Sequence, residues 1–272
     1  MQSRMPEQGI SQSFTLMRVI PVACLKDNYA YLLVCERTRA CAVIDPSEAA
    51  PVVHALLAEN LRPTMLWCTH HHWDHVGGIL ELSVKYPGLE VVASTYDRTR
   101  IHGLTKTVDG GSVLSLGDLR AHVYEVPGHT LGAIAYAVMA PKRVVFTGDT
   151  MFLAGCGRLF EGTPAQMDQS LRTIVSLPAD TQIYPGHEYT EANLRFAKTV
   201  EPKNLRIEAA FLRVHALRER GEPSVPHTVE EERAVNPFAR VDEASVRAYA
   251  KLPSNASSAD VLGVIRAAKD AF

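Results

Sequence analysis

From Phe14 onward the chain is a series of short apolar runs broken by turn residues, and the run lengths predict strands first and helices later. LMRVIPVACL, YAYLLVC and ACAVIDP read as three strands of a meander or sandwich layer, the first two separated by the polar break Lys26-Asp27-Asn28. Ser47 before EAAPVVHALLAEN predicts an N-capped helix with Val52, Ala55 and Leu56 on its apolar side. TMLWC, bounded by Pro63, reads as a short buried strand that delivers the chain into THHHWDH, after which a helix is predicted from about His75 to Tyr86. LEVVAS, GSVLSL, LRAHVYEVP, AIAYAVM and RVVFTGD form a second sheet-forming block, with turns at Gly110-Gly111 and Gly117-Asp118. Thr163-Pro164 starts a helix that runs through Leu177, and TQIYPG is the last predicted strand, ending at His187. From Tyr189 the pattern becomes almost wholly helical: EANLRFAKTV, NLRIEAAFLRVHALRERG, TVEEERAV, EASVRAYAKL and SADVLGVIRAAKDAF, separated by Pro202, Gly221 to Pro223, Asn236-Pro237 and Pro253. The pattern is that of an α+β chain with a domain boundary near residue 188: a disordered extension over 1–15, a sheet-rich unit over 16–187 and a helical unit over 188–272.

Composition narrows the class. With 272 residues, 46% of them hydrophobic and 21% charged, the chain can bury a sizeable core, so disorder and fibrous repeats are excluded. Lys and Arg number 28 against 30 Asp and Glu, a formal charge of -2, which gives no reason to expect nucleic acid as a partner. No apolar run approaches the roughly 20 residues that cross a bilayer, and the opening MQSRMPEQGISQSF carries no apolar signal core. The five cysteines, Cys24, Cys35, Cys41, Cys68 and Cys156, form an odd set without a CxxC pair, which fits reduced, separately buried thiols and a cytoplasmic location.

Candidate chemistry concentrates in one place, where His70, His71, His72, Asp74 and His75 fall within six residues. On an extended loop, residues two apart face the same side, so His70 and His72 can present imidazoles to one ion while His71 points away. Asp74 and His75, at the start of the expected helix, can hold a second ion. Further ligands have to come from other strand ends, and His129, Asp149 and His187 each sit where a predicted strand meets a Gly-containing turn. A solitary strand-end histidine is ordinarily a surface or core residue, and His54, His102, His122, His215 and His227 are read that way. The packed HxHxDH segment is different, because so many imidazoles and a carboxylate have no packing rationale. A structural zinc site would be closed by four ligands, usually including Cys, and no Cys lies at such a spacing. A nitrogen and oxygen ligand set for two ions leaves positions open for water, which is the catalytic pattern.

The segments DNYAYL, THHHWDHVGG, PGHT, FTGDTMFLAGCGRLFEGT and PGHEYTEANLRFA resemble the metallo-β-lactamase superfamily and, more narrowly, the glyoxalase II or hydroxyacylglutathione hydrolase family. The resemblance runs from about Met17 to the end of the chain. It implies an αββα sandwich followed by a smaller all-helical C-terminal domain. His70, His72 and His129 are then implied to hold one metal, Asp74, His75 and His187 a second, and Asp149 to bridge both. Zinc is the first expectation for the two divalent ions, with iron or manganese as alternatives, since imidazole and carboxylate suit all three. The resemblance also implies that glutathione is held by Arg158, Tyr189, Arg266 and Lys269. Phe160 stands where many relatives carry Tyr, so a hydroxyl contact is absent there. Asp45, in VIDPS, is expected to orient a ligand histidine, although an ordinary strand-end turn explains it nearly as well.

Two adjacent cations that share a water lower its pKa toward neutrality and supply a nucleophile without a separate side-chain base. Asp74 and Asp149 are expected to orient that nucleophile. A thioester suits such a centre because its thiol leaves as thiolate without a strong general acid. The expected activity is hydrolysis of S-D-lactoylglutathione to D-lactate and glutathione by a monomeric enzyme. The rivals are a mononuclear iron persulfide dioxygenase of the same superfamily, separable by metal stoichiometry and oxygen uptake, and a nucleic-acid-processing or binding member, separable by salt-dependent RNA binding.

Overall fold

The computed structural model describes residues 17–272, so the extension expected over 1–15 lies outside the described residues. Two six-stranded sheets face one another. The first has the order β1 (Met17–Cys24), β2 (Asn28–Cys35), β3 (Cys41–Ile44), β4 (Met65–Trp67), β5 (Glu90–Ser94) and β6 (Lys106–Val108). The second contains β7 (Val113–Leu116), β8 (Leu119–Glu125), β9 (Ile134–Val138), β10 (Val144–Gly148), β13 (Gln182–Pro185) and β14 (His227–Thr228), while β11 (Met151–Phe152) and β12 (Gly155–Cys156) make a small hairpin after β10. Helices α1 (Ala49–Ala58), α2 (Trp73–Val76) and α3 (Ile79–Lys85) belong to the first half. α4 (Pro164–Val175) follows the hairpin, and α5 (Thr190–Val200), α6 (Leu205–Glu219), α7 (Val229–Val235), α8 (Ala244–Ala250) and α9 (Ser258–Asp270) build the tail.

The uninterrupted burial of β2 explains why its sequence does not alternate between apolar and polar. Ala30, Leu32 and Val34 face α1 and α3, where they meet Val52, Leu56, Ile79 and Leu82. Tyr31 and Leu33 face the second sheet. Across that interface Tyr31 lies 5.5 Å from Phe146 and 5.2 Å from Tyr184 between ring centroids, and Trp67 stacks on Tyr136 at 5.2 Å. Rings of this size contribute roughly 1.5–3 kcal/mol each by burial, so the sheet-to-sheet seam is the main apolar adhesive. On the outer side of the second sheet, Met167, Leu171 and Ile174 of α4 join the same core.

Strand direction brings the chemistry to one edge. β3 and β4 are parallel, as are β10 and β13, and β8 runs with β10 because both are antiparallel to β9. The carboxyl ends of β4, β8, β10 and β13 therefore release Thr69 to His75, His129, Asp149 and His187 at the same rim. β2, antiparallel to β3, starts there, and an isolated bridge joins Asn28 to His187 across the two sheets.

Four local expectations need correction. Ser47 does not cap α1: its hydroxyl donates to Asp45 O, and Glu48 occupies the cap position without a side-chain hydrogen bond. The helix expected over about 75–86 starts at Trp73 and is split into α2 and α3 at Gly77-Gly78. There the backbone comes so close to the loop after β3 that a Cβ at Gly78 would lie 2.8 Å from Pro46 O, and Gly78 N donates to that same oxygen at 2.8 Å. Strand signals do not end at His187, because β14 pairs antiparallel with the edge strand β13 from within the tail. The strand β6, an exposed KTV segment, carries too little apolar pattern to be read from sequence. Thr163-Pro164 does start α4 as expected, through a capping box with Gln166, and the helix ends at Val175, two residues before the expected Leu177.

Gly78→Ala is expected to destabilise the chain by about 2 kcal/mol, the scale of a forced backbone shift in a packed site. Chemical denaturation reads this directly, and an unchanged midpoint would contradict the close approach.

Candidate metal centre and adjoining cleft

Four of the five inward-facing imidazoles are held from behind. Asp45, at the end of β3, adopts a left-handed backbone conformation with φ +47°, which aspartate tolerates better than most residues. Its carboxylate accepts from Thr69 N at 2.7 Å and Thr69 Oγ1 at 2.8 Å, and His75 Nδ1 lies 3.0 Å from the same oxygen that takes the hydroxyl. Thr69 Oγ1 donates to Asp45, so its lone pair is free for His70 Nδ1 at 3.1 Å. His129 Nδ1 donates to Arg158 O at 2.8 Å, and His187 Nδ1 meets Asp27 Oδ1 at 2.8 Å. These contacts assign the Nδ1–H form to His70, His75, His129 and His187, which leaves Nε2 of each turned inward.

The inward atoms crowd together. His72 Nδ1 lies 3.1 Å from His70 Nε2 and 3.0 Å from His129 Nε2. Asp149 Oδ1 is 3.3 Å from His75 Nε2, while Oδ2 is 3.4 Å from both His129 Nε2 and His187 Nε2. Asp74 Oδ2 is 3.5 Å from His187 Nε2 and accepts from Asn28 Nδ2 at 3.1 Å. Three groups have ligand atoms within 4.8 Å of one another: His70, His72 and His129; His70, His75 and Asp149; Asp74, His75 and His187. His75 Nε2 and Asp149 Oδ1 are fully buried and have no hydrogen-bond partner. Buried polar atoms rarely stay unpaired, so these two fit a centre that binds a cation. His71 turns outward as expected, to Asp97 at 3.3 Å and Glu161 at 3.7 Å.

The electrostatics show the same demand for positive charge. Burial and the neighbouring imidazoles of His75 and His129 keep His70 neutral, well below its ordinary range. Burial also pushes His72 down to about 4. For His75, burial opposes protonation, but Asp149 and Asp45 outweigh it and hold the group well above its ordinary value. Burial likewise opposes charge on His187, yet its bonds to Asp149 and Asp74 push it up to about 10. Asp149 stays ionised far below the usual carboxylate range: its burial is overcome by His75 and His187. A bound cation would supply the positive charge that the carboxylates here draw from protons on the imidazoles.

Backbone space is equally tight. A Cβ on Gly186 would fall 2.5 Å from Asp149 Oδ1 and 2.6 Å from His75 Cε1, so only glycine lets β13 turn into His187 against the cluster.

A cleft of about 620 Å³ opens beside the cluster, with His72, Asp74, His129, Asp149 and His187 at one end and Arg158, Tyr189, Arg266 and Lys269 also on its walls. Tyr189 stacks on His187 with centroids 4.7 Å apart, and burial with the Asp27 carboxylate pushes its phenol well above the usual range. Phe160 is 63% exposed and sets its ring edge-on to His72 and His129. Lys269 Nζ lies over Phe196 and Phe272, and burial beside Arg266 lowers its pKa. Arg158 is exposed, with Nε 3.3 Å from Asp270. Arg266 is only 7% exposed, and its Nη1 donates to Cys156 O at 2.6 Å.

Sequence reasoning gave no role to Asp27, Asn28, Thr69 or the Arg158 carbonyl. Asp27 and Asn28 had a signal in the DNYAYL segment, but their proximity to His187 depends on the pairing of two sheets and is not visible in one segment. A backbone carbonyl leaves no sequence signal at all.

Comparison with known proteins agrees with this architecture. Residues 26–187 match the metallo-beta-lactamase superfamily, and residues 188–272 match the hydroxyacylglutathione hydrolase C-terminus. A hydroxyacylglutathione hydrolase from Synechococcus sp. is 46% identical over 94% of this chain and 100% of its own length, and one from Maricaulis maris is 43% identical over 94% and 98%. The crystal structure of ETHE1 from Myxococcus xanthus shares the fold, with a TM-score of 0.63 and 24% identity over 93% of this chain and 99% of that one. No described helix is long and apolar enough to cross a membrane. With a superfamily match across its sheets, a C-terminal match across its tail and near full-length relatives above 40% identity, the chain belongs to the hydroxyacylglutathione hydrolase family of metallo-beta-lactamase-fold proteins.

Proposed function

We propose that this chain hydrolyses S-(2-hydroxyacyl)glutathione thioesters, S-D-lactoylglutathione first among them, to the 2-hydroxy acid and glutathione, the second step of the glyoxalase pathway. The observation that carries this reading is a cleft with a cation-demanding cluster at one end and cationic and phenolic side chains along its walls. Near full-length likeness to hydroxyacylglutathione hydrolases supports it further.

In this reading His70, His72 and His129 hold one divalent ion, Asp74, His75 and His187 hold another, and Asp149 serves both. Zinc is the first choice and iron or manganese the alternatives. When bound, such a pair supplies an acidified water and a Lewis acid for acyl transfer. The chain's own residues do the rest. Asp74 and Asp149 are acceptors at the cluster's edge and orient the attacking water through its protons. Asp45, Asp27, Thr69 and the Arg158 carbonyl fix the tautomers, so no imidazole has to reorient during the reaction. Phe160 and Phe152 keep bulk water off the histidine faces. Glutathione carries carboxylates, and Lys269 and Arg158 are the cations with donors to spare for them, while Arg266 adds charge from below and Tyr189 adds a hydroxyl. The thiol leaves as thiolate, so no side-chain acid is required. Monomeric action in the cytoplasm completes the proposal.

The test is a hydrolysis assay with S-D-lactoylglutathione and metal quantification per chain. His72→Ala is expected to abolish turnover and lower the metal content; full activity would contradict the ligand assignment. Lys269→Ala is expected to raise KM about tenfold with little change in kcat, on the scale of one charge-assisted hydrogen bond. An unchanged KM would contradict the proposed glutathione end. Chelator treatment is expected to abolish activity, and added zinc, iron or manganese to restore it.

A further inference from the structure

The segment that joins Asp149 to Arg158 is gripped along its length by side chains of the helical tail. Asn236 Nδ2 lies 3.4 Å from Phe152 O and donates to Gly155 O at 3.0 Å. Asn193 Nδ2 donates to Leu153 O at 3.1 Å, and Arg266 Nη1 to Cys156 O at 2.6 Å. The amide of Ala154, a residue held at φ +56°, donates to Glu232 Oε2 at 2.8 Å. Glu232 is completely buried, and two further donors reach it, Asn236 Nδ2 at 3.0 Å and His227 Nδ1 at 3.1 Å. A carboxylate so far from solvent needs all of its donors, and an Ala154 amide without an acceptor would be left unpaired in the interior.

Both ends of this segment reach the metal cluster. Asp149 begins it, and the Arg158 carbonyl that accepts from His129 Nδ1 ends it. Between them the Phe152 ring packs against His187 and Tyr189. Gly157 is so close to the start that a Cβ there would fall 2.0 Å from Asp149 O. A shift of the hairpin therefore moves a carboxylate, the partner of an imidazole and one wall of the cleft together. Glu232 stands in the first turn of α7, away from the metal cluster, and the imidazole it meets is that of His227.

We propose that Glu232 is a positioning residue: together with Asn193 and Asn236 it lets the helical tail set the geometry of the Asp149–Arg158 hairpin, and through it the placement of Asp149 and His129. The tail then has a second task besides lining the cleft. This inference rests on the metal and hydrolase reading above. Arg158 ends the hairpin and Phe152 packs on Tyr189, so loss of the clamp should lower turnover and also weaken the hold on substrate at the Arg158 end.

The test uses the metal-loaded full chain and compares Glu232→Ala with Glu232→Gln. In Glu232→Ala the Ala154 amide is expected to exchange hydrogen faster, metal to be lost faster to a chelator, and kcat for S-D-lactoylglutathione to fall about tenfold. Glu232→Gln keeps an oxygen for the Ala154 amide and is expected to recover most of all three. Wild-type exchange at Ala154, or wild-type kcat and metal retention, in Glu232→Ala overturns the proposal. Faster exchange confined to α6 and α7 also overturns it, because that is the mark of a role in tail stability alone. If Glu232→Ala does not fold, Asn236→Ala, which removes the donors to Phe152 O and Gly155 O, is read against the same outcomes. If the wild type does not hydrolyse the thioester, the proposed function falls, and amide exchange with metal retention alone decide the clamp.

Discussion

Electron-rich atoms from four strand ends are forced together at one rim of the sandwich, and the rest of the structure is arranged around keeping them there. Imidazole nitrogens about 3 Å apart, beside an ionised buried aspartate, are not a stable arrangement by packing alone. The fold tolerates it because His70, His75, His129 and His187 are each tied from behind to a partner that fixes the ring's orientation. Asp45, one of these partners, holds a left-handed backbone, and Gly186, before His187, leaves no room for a Cβ.

That constraint explains the division of labour between the two halves of the chain. The sheets supply rigidity through a seam of large rings, and their shared strand direction decides which loops meet. The helical tail closes the cleft and adds a strand, β14, to the second sheet, so it is joined by backbone pairing as well as by side chains. The cleft is thus bounded on one side by groups that demand positive charge and elsewhere by groups that carry it. A substrate with a reactive carbonyl at one end and carboxylates at the other complements both.

Much of this was legible in the sequence, and what was hidden has a physical reason. Strands β1 to β4 and the HxHxDH segment could be read because apolar runs and close-set ligands are local signals, whereas β5, read as part of the second sheet-forming block, pairs with β4 in the first sheet. The split at Gly77-Gly78 could not, since it follows from contact with Pro46, more than thirty residues away in the chain. β14 was hidden because two residues at a sheet edge need no pattern of their own. Arg266 shows a subtler limit. The resemblance implied a glutathione contact for it as for Lys269, but the structure buries it and commits its guanidinium to the Cys156 carbonyl and Asp270, so the two residues do different work. Glu232 reads in sequence as one of three successive acidic residues at the start of α7, and only the fold separates it from its exposed neighbour Glu230.

The central claim is that these seven side chains enclose a pair of divalent cations, and anomalous scattering from crystals grown with zinc or manganese tests it most directly. Two anomalous peaks are expected, one among His70, His72 and His129, the other among Asp74, His75 and His187, with Asp149 beside both. Catalytically competent crystals with no peak among these residues, or with the seven side chains spread apart in saturating metal, would contradict it.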